Sequence, residues 1–212
     1  MNRLDIEKEV RNSLGYAQGL DAGLIHGTIN NAQFRLESKD TLPWFLEKQK
    51  DITIPIGVDF FNLPTDYLHD IHGVPLSHYD SATVIRPLEK ITYANKEELT
   101  RGVYASCVAF YYRYGTKMFI TPVVPDTVDH KVSLKYYGSD VLLGTDSSVN
   151  NWSTYAPWVL IFQTLIILSE HRSDRVKIGL YAQELQSALR SLYERSSRMQ
   201  TDNIDYAMRG VY

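Results

Sequence analysis

The sequence predicts a mainly α protein with a β insertion (α+β). The expected architecture is a helical bundle of N-terminal, central and long C-terminal helices, an inserted antiparallel β region, and an extended C-terminal arm. Three observations predict it. Apolar residues recur at helical spacing towards both ends of the chain. The stretch from about 50 to 137 alternates instead and is punctuated by Pro and Gly. After residue 197 no apolar stripe is sustained. A single domain over 1–197 is therefore expected, with helices at about 4–38 and 157–197, followed by an arm at 198–212.

The first helix is predicted over about 4–14, with Ile6, Val10 and Leu14 on one face; Gly15 and Gly19 end it. A second starts near Asp21, a suitable N-cap, and carries Ile25, Ile29, Ala32 and Leu36 along one stripe. Trp44 and Phe45, after Pro43, are expected to pack back onto this helix. "DITIPIGVDFFNLPTDY" reads as two short β runs around a Pro-Ile-Gly turn. Residues 66–106 are weakly patterned: "HGVPLSHYDS" reads as a loop and "TVIRPLEKITY" as strands around Pro87. "AFYYRYGTKMFITP" predicts a hairpin turning at Gly115-Thr116, with glycine first. In "HKVSLKYYG", Val132, Leu134 and Tyr136 face one side and Ser133, Lys135 and Tyr137 the other.

The densest apolar run, 158–168, follows Pro157, which suits the first turn of a helix, with Ser153 or Thr154 as caps. Trp158, Ile161, Phe162, Leu165 and Leu168 make one face, yet Val159, Leu160 and Ile167 occupy much of the rest. A helix apolar nearly all round must be buried nearly all round. The run is barely half the length a bilayer span requires. The N-terminal residues also lack a signal core, so a soluble chain with no membrane partner is expected. A "SEHRS" turn and an Asp174 cap then lead into an amphipathic helix with Ile178, Tyr181, Leu185, Ala188/Leu189 and Leu192 inward. That helix should pair antiparallel with its predecessor. The tail carries spaced anchors at Met199, Ile204, Tyr206, Met208, Val211 and Tyr212, more than a solubilising tail needs.

Composition narrows function. A formal charge of −3 gives no reason for tight binding to phosphate backbones. The one cysteine, Cys107, excludes an internal disulfide framework and reads as a small buried residue. Fifteen tyrosines suit surfaces that become buried on association. His69, His72 and His78, near Asp66, Asp70 and Asp80, come closest to a metal constellation. Gly73 and Pro75 deny them a rigid support, so no metal and no cofactor is expected. Glu97 and Glu98, adjacent on a helix, diverge and cannot act as a glycosidase pair; Glu7 and Glu9 read as a solvated face. No nucleophile elbow, P-loop or dinucleotide fingerprint is present, so no catalytic residue is nominated and no enzyme is expected.

An over-apolar helix, abundant tyrosine and an anchored tail point to assembly. The ordered motifs "INNAQFRLESKDTLPWFL", "DITIPIGVDFFNLPTDYL", "YYRYGTKMFITPVVPD", "VSLKYYGSD", "NNWSTYAPWVLIFQTLIIL" and "DRVKIGLYAQELQSALRSLY" resemble the phage head-to-tail adaptor (connector) proteins over about 25–195. The resemblance implies a virion protein located at the head–tail interface and assembled in the host cytoplasm. It also implies a homo-oligomeric, twelvefold ring docked on the portal protein, with tail or neck proteins on the other side and DNA passing through without specific binding. By position, the portal-binding arm would be Arg198, Met199, Tyr206, Met208, Arg209 and Tyr212. Trp158, Phe162 and Leu165 are the expected subunit-packing residues. Alternatives left open are a virion-associated cell-wall hydrolase and a neck or tail ring without portal contact.

Overall fold

The computed structural model describes residues 1–15, 20–71, 73–79, 85–97, 108–121 and 129–209, with side chains described as far as Met199. They form two compact units: a helical unit from Met1–Leu46 and Ser139–Tyr212, and a strand unit from Glu47–Gly138. About 47% of the chain is helical and 25% is strand.

This corrects the expected bundle with a β insertion and an extended arm. The strands build two multi-strand sheets with a core of their own. The underestimate has a physical source: the strands Tyr67–Asp70, Leu76–Tyr79, Ile85–Pro87 and Glu89–Lys90 are two to four residues each, too short to show alternation, and are fixed by pairing with neighbours. The arm is corrected too, because the last helix continues to Arg209. Propagating a helix already nucleated and packed costs little, and no Gly or Pro interrupts the chain between Gly179 and Gly210.

In the helical unit, α1 (Arg3–Leu14) begins with a reciprocal capping box between Asn2 and Asp5 and ends at Gly15 in the left-handed conformation, φ +70°. α2 (Ala22–Glu37) starts, as predicted, at Asp21, whose Oδ2 accepts the Leu24 N–H. α3 (Asn151–Tyr155) is a short helix capped by Asn150. It takes Ser153 and Thr154 out of the role expected for them: α4 (Pro157–His171) has proline in its first turn, but its N-cap is Ala156, without a side-chain bond.

α4 is the centre of this unit. Residues 159–161 and 163–169 are buried, and α1, α2 and α5 (Arg175–Arg209) pack on it. Its buried Thr164 hydroxyl returns to the Leu160 carbonyl at 2.7 Å. Ser173, at φ +56°, and Asp174, which accepts the Lys177 N–H, reverse the chain into α5. Tyr181, Leu185 and Leu192 of the predicted stripe are buried against the bundle. No helix among the described residues is long and apolar enough to cross a membrane.

In the strand unit, β9 (His130–Gly138) is central. β1 (Glu47–Ile54) pairs antiparallel along one edge; β4 (Leu76–Tyr79) and β3 (Tyr67–Asp70) share the other, with β5 (Ile85–Pro87) outside β4. The second sheet runs β2 (Phe60–Asn62), β8 (Lys117–Thr121), β7 (Phe110–Tyr114), β6 (Glu89–Lys90). β7 and β8 form the predicted hairpin, with Gly115 at φ +61°. Val132, Leu134 and Tyr136 point into a core shared with Ile54, Phe61, Leu76, Met118 and Ile120, so both sheets contribute one apolar face. "LSHY", expected to be loop, is instead a strand held between β9 and β5.

Candidate functional site

The residues examined for chemistry do not converge. His69 packs its ring 5.0 Å from Tyr137 and its Nδ1 lies 3.0 Å from the Asp70 carbonyl. His78 instead meets His130, Nε2 to Nδ1 at 3.0 Å, in the buried part of the strand unit. His72, Asp80, Glu98 and Cys107 lie outside the described residues. Among the described residues no group of three or more His, Cys, Asp or Glu side chains is placed to hold a metal ion. Glu7 is paired with Arg11 at 2.8 Å, and Glu97 is exposed.

What the helical unit does offer is a groove. It lies where the start of α4 meets the end of the antiparallel α5, encloses about 480 Å³, and is lined by Tyr155, Pro157, Trp158, Leu192, Arg195 and Arg198 among others. Trp158 is 49% exposed although it opens the most apolar helix of the chain, and Phe162, 5.9 Å away ring to ring, is half-buried. Leu165 is fully buried within its own unit. So the three residues expected to pack subunits occupy three environments, and Trp158 is the one presented outward. Arg198, expected in the arm, lines the same groove.

An aromatic cluster supports Tyr155, the one of its members that lines the groove. Phe45 stacks on Tyr155 at 5.6 Å and meets Trp152 edge-on at 5.1 Å; Trp44 contacts both Phe45 and Tyr155. Trp44 and Phe45 were expected on α2. The single turn Trp44–Leu46 carries them to α3 instead, because Leu46 takes the buried position. The Arg195 guanidinium lies 4.8 Å over the Trp44 ring and donates to the Tyr155 carbonyl at 2.8 Å, fixing one wall.

Beneath the cluster lies a buried polar network that the sequence does not announce. Glu37 Oε1 accepts from Trp152 Nε1 at 3.0 Å, Gln33 Nε2 at 2.9 Å and the Asp140 N–H at 3.2 Å. Asn150 Nδ2 donates to Gln33 Oε1 at 2.9 Å and to the Val141 carbonyl at 2.8 Å. Burial pushes the Glu37 carboxyl above its usual range, although the bonds from Gln33, Asp140 and Trp152 oppose that shift. The one local signal was Asn150-x-x-Ser153, a capping spacing; the long-range partners leave no trace in a single sequence.

Among the side chains described, Ser196, whose Oγ accepts the Trp44 N–H at 3.1 Å, is the last buried one of α5; 197–199 are exposed and the backbone stays helical to Arg209. Of the arm residues, Arg198 and Met199 are therefore exposed on this helix. Tyr206, Met208 and Arg209 lie on its continuation, with side chains outside the described set, and Tyr212 lies outside the described residues.

The strand unit carries a separate aromatic surface. Tyr112 and Phe119 stack at 5.0 Å with planes 4° apart, Phe60 meets Phe119 at 5.4 Å, and exposed Tyr93 lies 5.7 Å from both Tyr112 and exposed Tyr114. Lys96 Nζ donates to the Tyr112 hydroxyl, and Lys117 sits 3.9 Å over the Phe60 ring.

Comparison with known proteins gives a family. The family model described as SU10 adaptor protein matches residues 1–207. No curated protein matches the chain.

Proposed function

The chain belongs to the SU10 adaptor protein family, and from that premise we propose that it is a structural virion protein closing a twelvefold ring on the portal of a tailed phage. The ring joins the DNA-filled head to the tail and extends the DNA channel. The observation that carries this reading is the family match over nearly the whole chain. The long helix continuing past Ser196, the last buried side chain among the described residues, supports it.

Residues 198–212 act as the portal-binding arm. α5 packs within the fold as far as Ser196, and the arm that follows enters a groove on the portal. Each arm binds modestly, but arms fixed together in a ring raise one another's effective concentration, so attachment is collectively stable. The ring uses head-to-tail contacts between copies, for which each subunit needs two unlike faces. A subunit with a formal charge of −3 lets DNA pass without gripping it. The opposite face of the ring receives tail or neck proteins.

The test is co-sedimentation with the portal ring encoded in the same genome, using the full chain and a chain ending at Ser197. Binding by the full chain alone is the expected result. Equal binding by both moves the contact to the folded units, and binding by neither removes the portal as partner.

A further inference from the structure

We propose that loop 141–149 of one subunit seats in the Trp158 groove of a neighbouring copy, forming the lateral contact of the ring; this rests on the ring reading above. The loop holds Val141 at 76%, Val149 at 62% and Leu142 at 40% exposure. Yet the loop is firmly tied. Leu143 is fully buried beneath it, and His26 Nε2 lies 2.6 Å from the Leu143 carbonyl. The Arg3 and Leu4 N–H groups bond the carbonyls of Ser148 and Asp146, and the Thr145 N–H donates to Ser148 Oγ. Asn150 holds the Val141 carbonyl.

A loop so anchored gains nothing in its own fold from three aliphatic side chains in water. Such a knob marks a contact surface, and because it is pre-ordered, little entropy is lost when it docks.

The groove is its counterpart in shape and charge. It has room for several aliphatic side chains against the exposed faces of Trp158 and Tyr155. Two cations, Arg195 and Arg198, against one carboxylate, Glu194, leave the groove net positive, while the Asp146 carboxylate beside the knob is 64% exposed and pairs with Arg3. Knob and groove stand on different helices: the loop is tied to α1 and α2, whereas the groove is walled by α4 and α5. One subunit therefore carries both halves of an unlike pair, which is what a closing head-to-tail ring requires and what points to a second copy as the occupant.

The experiment places a photoreactive benzoylphenylalanine at Val141, an exposed position, in a mixture of isotope-labelled and unlabelled full chains. Cross-linking is carried out both at high concentration and with the portal ring. The expected product joins residue 141 of one copy to a peptide holding Trp158 or Arg195 of another. Its yield should fall about tenfold or more with Trp158→Ala, the loss of a central aromatic anchor. Cross-links to other surfaces, or none in either condition, overturn the proposal. Portal co-sedimentation of the same samples shows separately whether the adaptor reading survives.

Discussion

The indole N–H of Trp152 donates to Glu37 Oε1 at 3.0 Å, both side chains being almost wholly buried. This bond joins the end of α2 to α3 and sets the edge against which Phe45 packs, and through Phe45 it positions Tyr155 on the groove. The groove thus rests on a buried carboxylate far from it in sequence. Glu37→Ala would leave three donors without their acceptor. It should cost roughly 3 kcal/mol, since each buried donor left unsatisfied costs about 1–3 kcal/mol. Denaturant unfolding checks the loss.

The same carboxylate makes stability depend on pH. Burial raises the folded-state pKa of Glu37 above its ordinary value of 4.5, so the folded protein keeps this proton to higher pH than the unfolded chain. Its contribution is then fully present below 4.5 and is lost as pH rises through the raised value. Glu37→Gln cannot titrate. The wild type should therefore lose stability relative to this variant as pH rises above 4.5, seen in paired melting curves; a constant difference would refute the assignment.

Asp66 in the strand unit should behave in the opposite sense. Partial burial disfavours its charge, but Lys48 at 2.6 Å and the Tyr136 hydroxyl at 3.1 Å outweigh that and hold it below its ordinary value of 3.8. Its contribution is present above 3.8 and is lost as pH falls through the depressed folded value. Asp66→Asn should cost about 1 kcal/mol at neutral pH, a modest figure because solvent screens a carboxylate about a third exposed. In acid the gap between the two proteins should close.

The features legible in the sequence are those written in local pattern. Asp21 and Asp174 as caps, Pro157 in a first turn, the Gly115 hairpin and the alternation of β9 each depend on residues within a few positions of one another. What was not legible depends on partners far away. β4 is a strand because Leu76, Ser77 and His78 lie opposite Leu134, Ser133 and Val132, not because four residues announce one. The groove was half visible: Trp158 and Arg198 were both nominated, for separate tasks, and only folding α4 back along α5 brings them together. Nothing local marks Glu37 or Arg195 as its supports.

Gly115 separates backbone strain from crowding. Its φ of +61° stands where a type II′ turn requires a positive angle, and a Cβ added there meets nothing within 4 Å. Gly115→Ala should therefore destabilise by about 1 kcal/mol from conformation alone. Thr116→Ala, at the exposed second turn position whose φ is not positive, should cost clearly less. Equal losses in the two variants would show that the turn conformation is not the cause.

The continuous helix beyond Ser196 makes a sharper claim than an arm of unspecified form. Proline at 199 removes the N–H that bonds the Arg195 carbonyl and breaks the helix there, at a cost of about 3 kcal/mol to residues beyond the packed stripe. Because Ser196 is the last buried side chain among the described residues, Met199→Pro should leave the melting temperature of the folded units unchanged while amide exchange in 200–209 accelerates. Met199→Ala removes the side chain and keeps the helix. If the arm docks as a helix, portal co-sedimentation should fall far more with proline than with alanine. Equal binding by the two variants would mean that the helical form plays no part in attachment.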